Sequence, residues 1–191
     1  MRLYFPARAW SLIVALAASP AVAQHVVPKP AQSYTGQETR AIATLSSEDV
    51  AALMAGKGWG LAKPAELNGY PGPAHVLELA GKLQLTDAQK RRVELIFKRM
   101  EQRAKSLGPR YVAAEAALDR VFKSGATNTG SLETLLRDAE RLRSELRRAH
   151  LQAHVETTPI LSQDQRKKYA ELRGYGAGDN AGEHGHQQHK H

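Results

Sequence analysis

From Ser131 to Thr157 the apolar positions Leu132, Leu135, Ala139, Leu142, Leu146, Ala149 and Ala153 alternate spacings of three and four without a miss. That rhythm puts all seven side chains on one stripe of an α-helix; a strand, whose faces alternate at every second residue, cannot satisfy it. At 1.5 Å per residue the segment is roughly 40 Å long. A helix of this length with a narrow coiled-coil-like seam needs a partner of similar length. One lies upstream: after Thr86 the residues Val93, Ile96, Phe97, Met100, Ala104 and Leu107 recur at threes and fours. Gly108 and Pro109 are expected to end or kink that helix, because an internal proline removes a hydrogen bond and crowds the preceding turn. The pattern resumes at Ala114, Leu118, Val121 and Phe122 and stops in the turn-rich SGATNTG. No strand-period run occurs between residues 47 and 173. The fold class is therefore all-α, a long bent helical hairpin of about four helices. A single hairpin buries little core, so a homodimer covering its stripe is expected.

The ends of the chain read differently. Arg2 and Arg8 precede and open the apolar AWSLIVALAA, which is followed by Ala21, Val22 and Ala23, the layout of a cleavable secretory signal over residues 1–23. The apolar run is shorter than the roughly 20 residues of a membrane span, so export without stable membrane insertion is expected. Cleavage there leaves 168 of 191 residues, and the formal charge falls from +8 to +6. A basic surface attracts acidic polypeptide, nucleic acid or anionic lipid, and export makes nucleic acid the least favoured. There is no cysteine, so neither disulfides nor thiolate metal ligands are available. Residues 24–46 read as a flexible lead. A short helix at Ser47–Met54, with Ser47 as its cap, and a Gly/Pro-rich loop carrying Trp59 and Tyr70 make up 47–72; the helical domain spans 73–173, opened by Pro73 and an apolar face to Leu83, and 174–191 is a flexible tail.

The sequence writes LTDAQ at Leu85–Gln89 and LSQDQ at Leu161–Gln165. In each, Thr86 or Ser162 can accept from the backbone three residues on while Gln89 or Gln165 reaches back, the reciprocal capping box of a helix start with a leucine staple before it. Two such boxes, flanking the long helices of an exported, cysteine-free, all-α chain, resemble the LTxxQ family of periplasmic stress proteins. That family includes the Spy and CpxP chaperone-like proteins, the zinc-resistance-associated proteins and the periplasmic sensors of nickel and cobalt resistance. The resemblance covers about Tyr70 to Gly174. It implies an antiparallel, cradle-like dimer in the periplasm without enzymatic chemistry, whose members are holdases, regulators that touch a sensor kinase or anti-sigma partner, or metal binders.

Histidines and arginines must choose among these. His150 and His154 stand four apart in AHLQAH, so on a helix both face the same side beside the seam and could share a metal ion; the bland alternative is two solvated or packed histidines. The metal-sensor branch of the family implies a histidine pair before the first box, an acid in the next helix and a second pair before the second box. His150 and His154 match the last pair, and His75 matches the first histidine, with Leu79 where its partner would be. Glu78 could substitute, and Glu94 is the candidate acid. The tail EHGHQQHKH adds His184, His186, His189 and His191, suited to loose capture of nickel, cobalt, copper or zinc. Arg91, Arg99, Arg103, Arg141 and Arg148 are either a solvated face laced with ion pairs or a basic surface for unfolded clients. No nucleophile with a base, H-E-x-x-H or phosphate-loop pattern argues for an enzyme. The expected function is a non-enzymatic heavy-metal-binding stress or resistance protein; the alternative is an ATP-independent chaperone or kinase repressor that works without metal.

Overall fold

The computed structural model describes residues 34–126 and 128–175; the expected signal peptide and the tail histidines His184, His186, His189 and His191 lie outside the described residues. Within them the order is α1 (Ser47–Met54), α2 (Lys63–Glu66), α3 (Pro73–Glu78), α4 (Asp87–Lys123), α5 (Thr129–Thr157), a 3-10 turn (Thr158–Ile160) and α6 (Gln163–Leu172). The all-α class holds. α4 and α5 pack against each other as an antiparallel hairpin: Val93 and Ile96 share a buried cluster with Ala153, and further along Leu107 and Tyr111 share one with Leu142 and Leu146.

Local chemistry explains most helix starts. Ser46, one residue before the expected cap, accepts from the Asp49 amide at 3.1 Å while Asp49 accepts from the Ser46 amide at 2.9 Å, a box that Ser47 has no partner to form. Asn128 and Ser131 cap α5 in the same way, so the helix begins at Thr129. α3 is shorter than its apolar face: it stops at Glu78, and the chain reaches the buried Leu83 through turns, with Gln84 at φ 51°.

Of the two outcomes expected at Pro109, an end or a kink, the structure excludes the end. α4 does not end there; it runs 37 residues without a break. An internal proline costs about 3 kcal/mol, and packing on both sides of it offsets this, since Ala104, Leu107 and Tyr111 are all buried. Gly108 is there for contact: a Cβ on it would stand 2.0 Å from the Leu53 carbonyl oxygen, so α1 rests directly on the α4 backbone. Gly108→Ala is expected to lower stability by about 1–3 kcal/mol by prising α1 away. A lowered urea midpoint at unchanged slope checks this; an unchanged midpoint contradicts the contact.

Ile42 and Leu45, which fell in the expected lead, are also core residues, packed with Leu53, Leu61 and Tyr111. The Gly/Pro-rich loop is pinned by Trp59, whose indole N–H donates to Asp49 at 2.7 Å and whose ring lies 5.9 Å from that of Tyr111. Tyr70, by contrast, is an exposed ring.

The two five-residue boxes meet. Gln89 Nε2 donates to Gln165 Oε1 at 2.8 Å and Gln165 Nε2 donates to Gln89 Oε1 at 3.1 Å. Each amide oxygen also accepts from its own cap, Thr86 N at 3.0 Å and Ser162 N at 2.9 Å. Each amide nitrogen further donates to a carbonyl leading into the other box, Ile160 at 2.8 Å and Leu83 at 3.2 Å. The repeated motif is thus one interlocked clasp joining the starts of α4 and α6.

Candidate metal centre

A cavity of about 460 Å³ opens at the level of the hairpin where one buried cluster gives way to the other. Its walls are residues 55–58 at the exit of α1, residues 72–75 at the start of α3, Phe97, Met100 and Glu101 of α4, and His150 and His154 of α5. The structure therefore gathers His75, His150 and His154, from two distant parts of the chain, around one space. Glu78 lines it as well.

Each histidine presents a nitrogen with distinct surroundings. His154 Nδ1 lies 2.7 Å from the Tyr70 carbonyl oxygen. A carbonyl can only accept, so Nδ1 carries the proton and the neutral ring keeps its lone pair on Nε2, the tautomer that metal-ligating histidines commonly hold by such a bond. His75 Nδ1 pairs with Glu78 Oε2 at 3.0 Å, which likewise leaves Nε2 for a ligand. His150 is 3 % exposed, and its Nε2 is buried without a hydrogen-bond partner. An orphaned buried polar atom is costly, of the order of 1–3 kcal/mol. Burial, and then the neighbouring His154, holds the His150 pKa below the ordinary value of 6.5, so the imidazole is neutral with a lone pair at neutral pH.

Both α5 histidines are buried, so the solvated reading of the pair is overturned; the adjacent seam residues Ala149 and Ala153 are small enough to let the imidazoles turn inward. Glu94 is not among the cavity-lining residues. It shares a helix face with Phe97 and Glu101, seven positions on, but the loop closes against α4 roughly 10 Å further along at 1.5 Å per residue. Gly56 fixes that register: a Cβ on it would lie 2.9 Å from Lys105 Cγ and 3.1 Å from Lys105 N. Glu101, whose carboxylate pairs with Lys105 at 2.9 Å, and the Met100 thioether line the cavity in place of Glu94. Neither was singled out from sequence, although the spacing 94, 97, 101 was the available signal. As the side chains lie, no three His, Asp or Glu residues among the described residues are close enough together to hold an ion.

The arginines form a laced surface. Arg99 pairs with Glu156, Arg103 with Glu145 at 3.9 Å, and Arg141 with Glu145 at 2.9 Å. Arg91 and Arg148 are exposed. None of these five lines the histidine cavity.

The fold is an all-α hairpin clasped by two LTxxQ boxes, with three histidines on the lining of one open cavity. The model of the heavy-metal resistance family matches residues 50–168, and the chain belongs to that family. No curated protein and no solved structure matches it. Among the described residues no helix is long and apolar enough to cross a membrane.

Proposed function

We propose that this chain is a non-enzymatic periplasmic protein that captures a divalent transition-metal ion in the histidine cavity, with His150 and His154 as the fixed ligands. The buried, partnerless Nε2 of His150 carries the reading, because a metal ion is the partner that this atom lacks, and the heavy-metal resistance family supports it. His75, Met100, Glu78 and Glu101, which line the same cavity, are the candidates for the further donors. Imidazole with a thioether or a carboxylate suits nickel, cobalt, copper or zinc. The metal supplies no reaction here; the chain's work is to bind and withhold it. The tail histidines add loose capacity, and a second copy of the chain is the expected partner.

The reading is tested by calorimetric titration of Zn²⁺ into the full chain with His184, His186, His189 and His191 all replaced by asparagine. One equivalent is expected to bind. Because burial holds the His150 pKa below 6.5, proton competition at this ligand is expected to weaken Zn²⁺ binding only as pH falls below 6.5. Absence of saturable binding in the substituted chain would confine metal handling to the tail. The holdase or kinase-repressor alternative draws on the exposed Leu95, Phe122, Leu136 and Val155. It is less supported, since three of the five arginines it would recruit already face carboxylates.

A further inference from the structure

Glu66, in the short helix α2, is a carboxylate ringed by donors. Its Oε1 accepts from the Tyr169 hydroxyl at 2.5 Å, the Tyr175 hydroxyl at 3.0 Å and Arg173 Nε at 3.2 Å. Its Oε2 accepts from the Gly72 amide at 3.2 Å and lies 3.6 Å from His154 Nδ1. The side chain is only 11 % exposed. Tyr169 is itself buried, and burial together with its bond to Glu66 pushes its hydroxyl well above the ordinary tyrosine range, so it remains a donor. One oxygen thus faces the cavity histidine and the backbone that packs on it, and the other faces the C-terminal end of α6.

We propose that Glu66 is a positioning carboxylate that couples metal occupancy at His154 to the docking of residues 169–175. The inference rests on the metal reading above. When Nε2 binds a cation, the ring gains positive charge; its Nδ1–H stays on the Tyr70 carbonyl, and Glu66 Oε2, 3.6 Å from Nδ1, gains by charge attraction rather than by a hydrogen bond. The backbone around the ring leaves little room for another adjustment. A Cβ on Gly72 would stand 2.8 Å from His154 Cε1 and 2.9 Å from its Nε2. The ring is therefore braced against Gly72, whose amide donates to the same Glu66 oxygen that faces Nδ1. A change at the imidazole is passed to Glu66, and through its second oxygen to Tyr169, Arg173 and Tyr175. These are the last residues before the segment that carries the four tail histidines, so α6 is the element that reports whether the cavity is filled. By linkage the effect is reciprocal: loosening the α6 side must weaken the metal.

The test uses the full chain with the four tail histidines replaced by asparagine, Zn²⁺ as probe, and two variants on that background. Glu66→Gln is nearly isosteric, but an amide has a single acceptor oxygen. Whichever way it is turned, either Arg173 or the Gly72 amide loses its partner. Zn²⁺ affinity is expected to fall by about 10–100-fold. Tyr169→Phe, which removes one donor to Glu66 and is not itself a cavity-lining residue, is expected to weaken Zn²⁺ by about 5–10-fold, within the usual range of coupling. Amide exchange at residues 169–175 is expected to slow when Zn²⁺ binds the parent and to be unchanged by Zn²⁺ in Glu66→Gln. Circular dichroism confirms that helix content is kept. Zn²⁺ binding by the parent with equal affinity in Glu66→Gln, or without any slowing of exchange at 169–175, overturns the coupling while leaving the metal site intact. Failure of the parent to bind Zn²⁺ overturns the metal reading, and the coupling falls with it.

Discussion

Replacing His150 with leucine is expected to abolish saturable Zn²⁺ binding in the chain that lacks tail histidines, while leaving the metal-free fold as stable or more stable. The two effects have one cause. His150 is buried with Nε2 unpartnered, so in the absence of metal it carries a desolvation penalty that a leucine of similar size does not. Removing such an unsatisfied group recovers about 1 kcal/mol or more. With metal present the balance inverts: an ion at 1,000 times its dissociation constant stabilises the fold by about 4 kcal/mol, and the variant forfeits that. Thermal melts with and without Zn²⁺ separate the two terms. The parent is expected to melt higher with Zn²⁺, and His150→Leu to melt at or above the metal-free parent with no response to Zn²⁺. A variant that is simply less stable, yet still shifted by Zn²⁺, would mean that His150 is a packing residue and that the ion sits elsewhere.

The second large effect concerns the clasp. Gln89→Ala removes the bond to the Thr86 cap, the bond to the Ile160 carbonyl and the reciprocal pair with Gln165. At about 0.5–1.5 kcal/mol net for each of these four hydrogen bonds, the loss is expected to be about 2–6 kcal/mol, or a fall of about 5–20 °C in Tm for a domain of this size. Gln165→Ala breaks the same pair from the other side. The double variant should therefore lose less than the sum of the two, by about 1–2 kcal/mol. Strict additivity would mean that the two boxes act only as separate helix caps.

The interlock of Gln89 and Gln165 shows where sequence reading succeeds and where it stops. Each box is a local device, legible because cap and glutamine lie three residues apart. Their meeting is a tertiary event between residues 76 positions apart, and no local rule encodes it. The same division runs through the fold. The threes and fours of α5 placed its buried stripe from Ala139 to Ala153, while Leu132 and Leu135 at its start are only half-buried. At Pro109 the helix continues rather than ends, because the local cost is outweighed by the packing of Ala104, Leu107 and Tyr111 on either side. Ile42 and Leu45 were missed because isolated apolar residues in a polar stretch have no period to betray them.

The site divides in the same way. His150 and His154 were readable as a pair from their spacing, but their burial depended on the small neighbours Ala149 and Ala153. Glu94 was the acid that the family resemblance offered; Glu101 lines the cavity instead, because the register of the loop against α4 is set by glycine contacts such as Gly56 on Lys105. The Tyr70 carbonyl that orients His154 is a backbone atom and has no sequence signature at all. Glu66 lies in a short helix among glycines and prolines, where nothing in the pattern distinguishes a hub carboxylate from a surface one.

X-ray absorption at the zinc edge, on the one-to-one Zn²⁺ complex of the full chain with its four tail histidines replaced by asparagine, tests the central claim most directly. At least two imidazole nitrogens at about 2.0–2.1 Å are expected, with that signal lost in His150→Leu. A shell of oxygen alone, or one that His150→Leu leaves unchanged, would contradict a metal centre built on His150 and His154.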